Sequence, residues 1–116
     1  MRFPRGARLL RHADFERVYK QGRRHFSAHM TVFYLRRSEG AGLRVGFTVS
    51  KMLGGAVQRN RMKRRLREAV RLEAAWNSAA VDVVINPKKS VATADFAALR
   101  TEISRAFEVI QKSVGR

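Results

Sequence analysis

Cysteine is absent from the 116 residues. That excludes a disulfide framework, thiolate metal or iron–sulfur sites and a cysteine nucleophile, so a reducing compartment is expected. Acidic residues are scarce: nine Asp plus Glu stand against 25 Lys plus Arg, a formal net charge of +16. Proline occurs twice. No apolar run approaches the ~18–20 residues that span a bilayer, and nothing near Met1 has the apolar centre of a secretion signal. A soluble cytoplasmic protein without a membrane partner is the expectation. At this length one domain over residues 1–116, burying roughly two thirds of its unfolded surface, needs no covalent or metal staple.

The dominant feature is positive charge, and it is localised. Residues 1–24 hold eight basic and two acidic side chains, residues 51–71 eight and one, residues 72–116 six and five. A solvated surface normally interleaves both signs. Two strongly basic blocks in so short a chain imply a polyanionic partner, and nucleic acid is the one that matches such a field. Arg outnumbers Lys 19 to 6, which favours bidentate phosphate contacts and stacking on bases. Residues 1–12 contain no acid, Ser or Thr. They read as a basic N-terminal arm, with Arg8 and Arg11 as candidate RNA contacts, rather than as a transit peptide.

Periodicity supplies the elements. Phe15, Val18 and Tyr19 predict a short helix over 13–20, closed by Gly22 in the left-handed position. Residues 30–36 and 43–50 are rich in β-branched and aromatic side chains and predict an antiparallel hairpin, with a further short strand near 24–28. One face of that sheet should pack and the other stay open. After Gly54-Gly55 a long helix is predicted from Ala56 to about residue 75, docked by Met62, Leu66, Ala69 and Val70, with its cations around the remaining circumference. Residues 81–85 predict a buried strand ended by Asn86-Pro87. Thr93 is the expected cap of a last helix whose core face is Phe96, Leu99, Ile103, Phe107 and Ile110. The order α-β-β-β-α-β-α is that of a single-domain α+β sandwich.

Protein-borne hydrolysis would need a nucleophile with its base, paired carboxylates or a metal cluster. His25 and His29, four residues apart, lie in sequence that reads as extended and have no neighbouring carboxylate. His12, Asp14 and Ser27 form a triad only on paper. Gly54-Gly55 matches no nucleotide-binding glycine pattern, and no small-molecule substrate is expected.

The specific signal is Val45-Gly46-Phe47-Thr48-Val49-Ser50-Lys51, a glycine turn, and Ala56-Val57-Gln58-Arg59-Asn60-Arg61-Met62-Lys63-Arg64-Arg65-Leu66-Arg67. With Asp14-Phe15-Glu16-Arg17-Val18-Tyr19-Lys20-Gln21-Gly22, it resembles the bacterial ribonuclease P protein subunit family over about residues 9–112. Met52, Leu53 and Gly54-Gly55-Ala56 stand where the family usually has a second basic residue, Val or Ile, and Gly-Asn-Ala. Gly55 is therefore expected to loosen the turn and to lose one side-chain contact.

The resemblance implies a protein that does not itself cut RNA. A catalytic RNA subunit uses Mg2+ to hydrolyse precursor tRNA and release the mature 5′ end, while the protein supports substrate binding and metal-ion affinity. Arg59, Asn60, Arg61, Lys63, Arg64 and Arg67 match the family's signature helix and would contact the catalytic RNA. Phe15, Tyr19 and Phe33 match positions lining a cleft for the single-stranded 5′ leader of precursor tRNA, with Lys51 beside it for a leader phosphate; by spacing alone the three aromatics favour ordinary core packing. The resemblance also implies a sheet of about four strands with a left-handed βαβ crossover, where pattern alone favours the right-handed form of ~98% of such units. The alternative is a structural RNA-binding protein such as a small ribosomal protein. A protein-only nuclease using His25, His29 and Asp14 is a third class.

Overall fold

A computed structural model describes residues 8, 11–74 and 80–114. The elements run α1 (His12–Gln21), β1 (Arg23–Phe26), β2 (Met30–Arg36), β3 (Leu43–Phe47), α2 (Ala56–Glu73), β4 (Val81–Pro87) and α3 (Phe96–Val114), with short 3-10 turns at Lys51–Leu53 and Lys89–Ala92. The four strands form one sheet in the order β1-β2-β4-β3. This is the expected α+β architecture, including the short strand before Met30.

The predicted hairpin is wrong. β2 pairs antiparallel with β1 and β4, and β3 pairs parallel with β4, which lies between β2 and β3. The cause is visible in β4 itself: Val81, Val83, Val84 and Ile85 are all fully buried. A strand apolar on both faces takes the centre of a sheet, where both faces are covered. β3–α2–β4 is thus a crossover unit joining adjacent parallel strands. β3 also ends at Phe47, short of the expected residue 50.

One sheet face carries the main core. Val32, Tyr34, Val45, Val83 and Ile85 meet Met62, Leu66, Ala69 and Val70 of α2 and Leu99, Ile103, Phe107 and Ile110 of α3. Both predicted helical faces are therefore core, with Phe96 packed at its edge. The opposite face is not left open throughout: α1 lies across it, with Val18 and Val84 buried among Phe15, Tyr19, Phe33 and Leu35.

Three boundary expectations need correction. Gly22 has φ −81° and ψ 174°, so it is extended, not left-handed. Its smallness matters for another reason, because a Cβ there would lie 2.4 Å from the Val18 carbonyl oxygen and 2.6 Å from that of Tyr34. Thr93 does not cap α3; it closes the Lys89–Ala92 turn. The carbonyl of Asp95 accepts the first N–H bonds, from Ala98 at 3.0 Å and Leu99 at 3.2 Å. Finally, α2 ends at Glu73, and residue 75 lies outside the described residues.

Within the basic arm Arg8, Arg11 and His12 are described, His12 as the first residue of α1. Arg8 forms an isolated parallel bridge to Val45 on β3. Arg11 is the N-cap of α1, and its carbonyl accepts the N–H of Asp14 and Phe15.

Candidate nucleic-acid interface

The fold sorts the cations into two groups. The first is turned inward. Asp82, fully buried within β4, receives Arg37 Nη1 at 2.9 Å and a bidentate pair from Arg44, Nε to Oδ1 and Nη2 to Oδ2, both at 2.7 Å. Arg17 stands 3.9 Å from the same carboxylate and bonds Asp14. The hydrogen bond that Arg44 donates to Asp82, with the fields of Asp82 and Asp14, raises the Arg44 pKa against the opposing effect of burial. Arg37 also donates to the Val81, Ala41 and Gly42 carbonyls. Arg65 donates to the carbonyls of Val91, Ala92 and Ala94, pinning α2 to the Lys89–Ala92 turn. Arg100 pairs with Glu73. Arg71 pairs with Glu68, one turn back on α2; this hydrogen bond holds the Glu68 carboxyl below its usual range.

The second group lies along α2. Its 18 residues extend about 27 Å. Met62, Leu66, Ala69 and Val70 face the core, which leaves Val57, Asn60, Lys63, Arg64 and Arg67 on another strip, where they line an open groove of about 460 Å³. No acidic residue lines it. Among the described residues, the side chains of Asn60, Lys63, Arg64 and Arg67 make no hydrogen bond or ion pair.

The other two members of the expected helix set depart from the strip. Arg61 donates Nε to the Ala92 carbonyl at 3.0 Å, beside Arg65, while remaining exposed overall. Arg59 is half-buried, and its Nε is withdrawn from solvent without a partner. Gly55 is the N-cap of α2 and offers no side-chain bond. An Asn at this position would stand where an N-cap side chain does.

The expected aromatic cluster does assemble. Tyr19 and Phe33 meet edge to face, with ring centroids 4.9 Å apart at 89°. Both remain half-buried, as does Phe15. The Tyr19 hydroxyl is within hydrogen-bond distance of Thr48 Oγ1, 2.8 Å, and Asn86 Oδ1, 2.9 Å, which fixes the ring over the sheet. Arg24 lies over Phe33 at 5.6 Å from the ring centre, a cation–π geometry. Phe26, 69% exposed, is on the same strand as Arg24 two residues on, and so on the same face. Lys51 is exposed at the start of the 3-10 turn, three residues beyond Thr48. Arg24, Phe26, Thr48 and Asn86 were missed from sequence. Period-two alternation could have placed Thr48 on this face, but nothing local placed Arg24 over Phe33.

The candidate histidines go elsewhere. His29 Nδ1 is 2.7 Å from Ser90 Oγ, and its backbone N–H donates to Glu102, tying the β1–β2 turn to α3. His12 pairs with Glu16 on the surface of α1. Among the described residues no group of three or more His, Asp or Glu converges as metal ligands would.

A sheet covered on one face by two helices, with a row of unengaged cations on one helix and an aromatic, cation-flanked surface on the other face, defines a small basic nucleic-acid-binding protein. The comparisons make this particular. The ribonuclease P family profile matches residues 3–111. Ribonuclease P protein components from Citrifermentans bemidjiense and Oleidesulfovibrio alaskensis are 40% and 44% identical, over 95% and 73% of this chain and 93% and 69% of theirs. Among solved structures, the Staphylococcus aureus RNase P protein superposes with a TM-score of 0.78 at 25% identity, covering 92% of this chain and 97% of that one. The Thermotoga maritima protein gives 0.75 at 24%, covering 88% and 96%. The chain belongs to the ribonuclease P protein family and is a protein subunit of that endoribonuclease, a ribonucleoprotein that processes tRNA.

Proposed function

We propose that the α2 groove is where this subunit grips the RNase P RNA, and that the α1-covered sheet face holds the 5′ leader of precursor tRNA. The observation that carries the first assignment is the sorting of charge. Among the described residues seven arginines, Arg61 included, are engaged by acids or carbonyls of the chain, whereas Lys63, Arg64 and Arg67 share an acid-free groove with no partner of their own. Desolvating such a row against phosphates releases condensed counterions, which gives affinity and a steep salt dependence. Arg59 and Arg61 belong to the same contact in a lesser role, since Arg61 is shared with the Ala92 carbonyl and Arg59 is half-buried.

The leader assignment is supported by Phe15, Tyr19 and Phe33 being packed yet accessible, so that unstacked bases can lie against them. In this reading Arg24, over Phe33, and Lys51 supply charge for the leader phosphates, with Arg8 and Arg11 of the arm as further contacts. Hydrolysis is assigned to the RNA subunit with Mg2+. The contribution proposed for the side chains of this chain is neutralisation of phosphates near the bond to be cut; among the described residues no group of three or more His, Asp or Glu converges as metal ligands would. The same proposal places this action in the cytoplasm; among the described residues no helix is long and apolar enough to cross a membrane.

The test is binding of precursor tRNA with and without its leader to the reconstituted particle. Ala at Lys63, Arg64 and Arg67 should weaken assembly with the RNA. Smaller apolar residues at Phe15 and Phe33 should reduce discrimination for the leader. A protein that ignores the leader but binds RNA equally well would favour the structural RNA-binding alternative.

A further inference from the structure

We infer that the N-terminal end of the α2 groove holds an unpaired adenine base of the bound RNA, with Val57 as its apolar wall and Asn60 as its hydrogen-bonding reader. This rests on the reading of α2 as an RNA-binding helix and specifies what one end of it recognises. The groove is graded along its axis. Val57 and Asn60, one turn apart on the same side, are uncharged; Lys63, Arg64 and Arg67 follow with charge. A track built only for phosphates has no use for the neutral pair.

Val57 is 82% exposed and, unlike an isolated surface valine, lines a concave site beside a polar group without an internal partner. A methyl-bearing wall suits the face of a base. The Asn60 amide presents a donor and an acceptor side by side, which complements the N6 donor and N7 acceptor of adenine; guanine offers two acceptors on the corresponding edge. That edge lies in the deep, narrow major groove of paired RNA, out of reach of a side chain, so the base must be unpaired. The cations beyond Asn60 are then placed for the phosphates that follow. At the groove's start, a Cβ on Gly55 would meet nothing within 4 Å, so the approach to Val57 is open.

The probe is a set of RNA hairpins with one stem sequence and either a single unpaired adenosine, a single unpaired uridine or no unpaired nucleotide, titrated with the full chain at several salt concentrations. The adenosine hairpin should bind about 5- to 10-fold more tightly than the uridine hairpin, the lower range for one bidentate base contact. Asn60→Ala and Val57→Ala should remove most of this ratio while leaving the slope of log affinity against log salt unchanged, and thermal melts should confirm that both variants fold. Met52→Ala, at a 93% exposed apolar residue outside the groove lining, should change neither. Equal binding of the adenosine and uridine hairpins, or a ratio that survives Asn60→Ala, overturns the inference. RNase P RNA binding as tight and as salt-dependent with Lys63→Ala/Arg64→Ala/Arg67→Ala as with the unaltered protein would instead overturn the underlying reading of α2.

Discussion

Replacing Asp82 by Asn probes whether the inward arginines are structural. The substitution keeps the side chain's shape but removes the charge that Arg37 and Arg44 bond at 2.7–2.9 Å, and it points amide hydrogens at guanidinium donors. Breaking one side of a buried ion pair costs about 3–5 kcal/mol. Asp82 is fully buried, but the Arg17 and Arg44 side chains are 44% and 30% exposed and can partly turn to water. The lower end, about 3 kcal/mol, is therefore expected. Against a total of about 5–15 kcal/mol for a small domain this is large. With a urea slope of about 1.5 kcal/mol/M, the unfolding midpoint should fall by about 2 M. Arg44→Gln added to Asp82→Asn should cost less than the two single effects summed, because the shared interaction is lost only once. The salt dependence of RNA binding should be unaltered in the folded Asp82→Asn protein. A midpoint shift below about 0.3 M, or strict additivity in the double variant, would refute the assignment of these arginines to the fold.

Other expectations follow from single contacts. Arg65→Ala removes charge-assisted bonds to three carbonyls at the Lys89–Ala92 turn and should cost about 2 kcal/mol in chemical denaturation. Gly55→Asn supplies the missing N-cap of α2 in open space and should raise stability by a few tenths of a kcal/mol or more. Gly54→Ala should do the opposite, since its φ is +141° and a Cβ would lie 2.8 Å from Gln58 Oε1. Phe33→Leu should cut the preference for leader-bearing over mature tRNA by about 1 kcal/mol or more in a binding competition. Equal weakening of both tRNAs would place Phe33 in packing alone.

The helices were legible because their burial is periodic and local: Met62, Leu66, Ala69 and Val70 mark one stripe, and Leu99, Ile103, Phe107 and Ile110 another. Strand pairing was not, because the position of β4 between β2 and β3 is a long-range outcome. Its apolar Val81, Val83, Val84 and Ile85, on both faces of the strand, were the available clue, outweighed by the nearness of residues 30–36 and 43–50 in sequence. The arginines were legible as a field but not as individuals. Asp82, an acid within an apolar strand, was the signal that some of them would be drawn inward. Of the residues expected on RNA, the groove gathers Asn60, Lys63, Arg64 and Arg67, while Arg61 is shared with a backbone carbonyl that no local pattern reveals. Gly22 is required for close backbone approach and not for left-handed geometry, a distinction set by the packing of α1 on β2.

The most direct test of the central claim, that this chain supplies cationic grip while RNA supplies catalysis, is reconstitution with a bacterial-type RNase P RNA at low Mg2+. The rate of 5′ leader removal should rise when the protein is added, fall toward that of RNA alone with Lys63→Ala/Arg64→Ala/Arg67→Ala, and be zero for the protein by itself. Stimulation equally strong with that triple variant, or cleavage by the protein freed of RNA, would contradict the account.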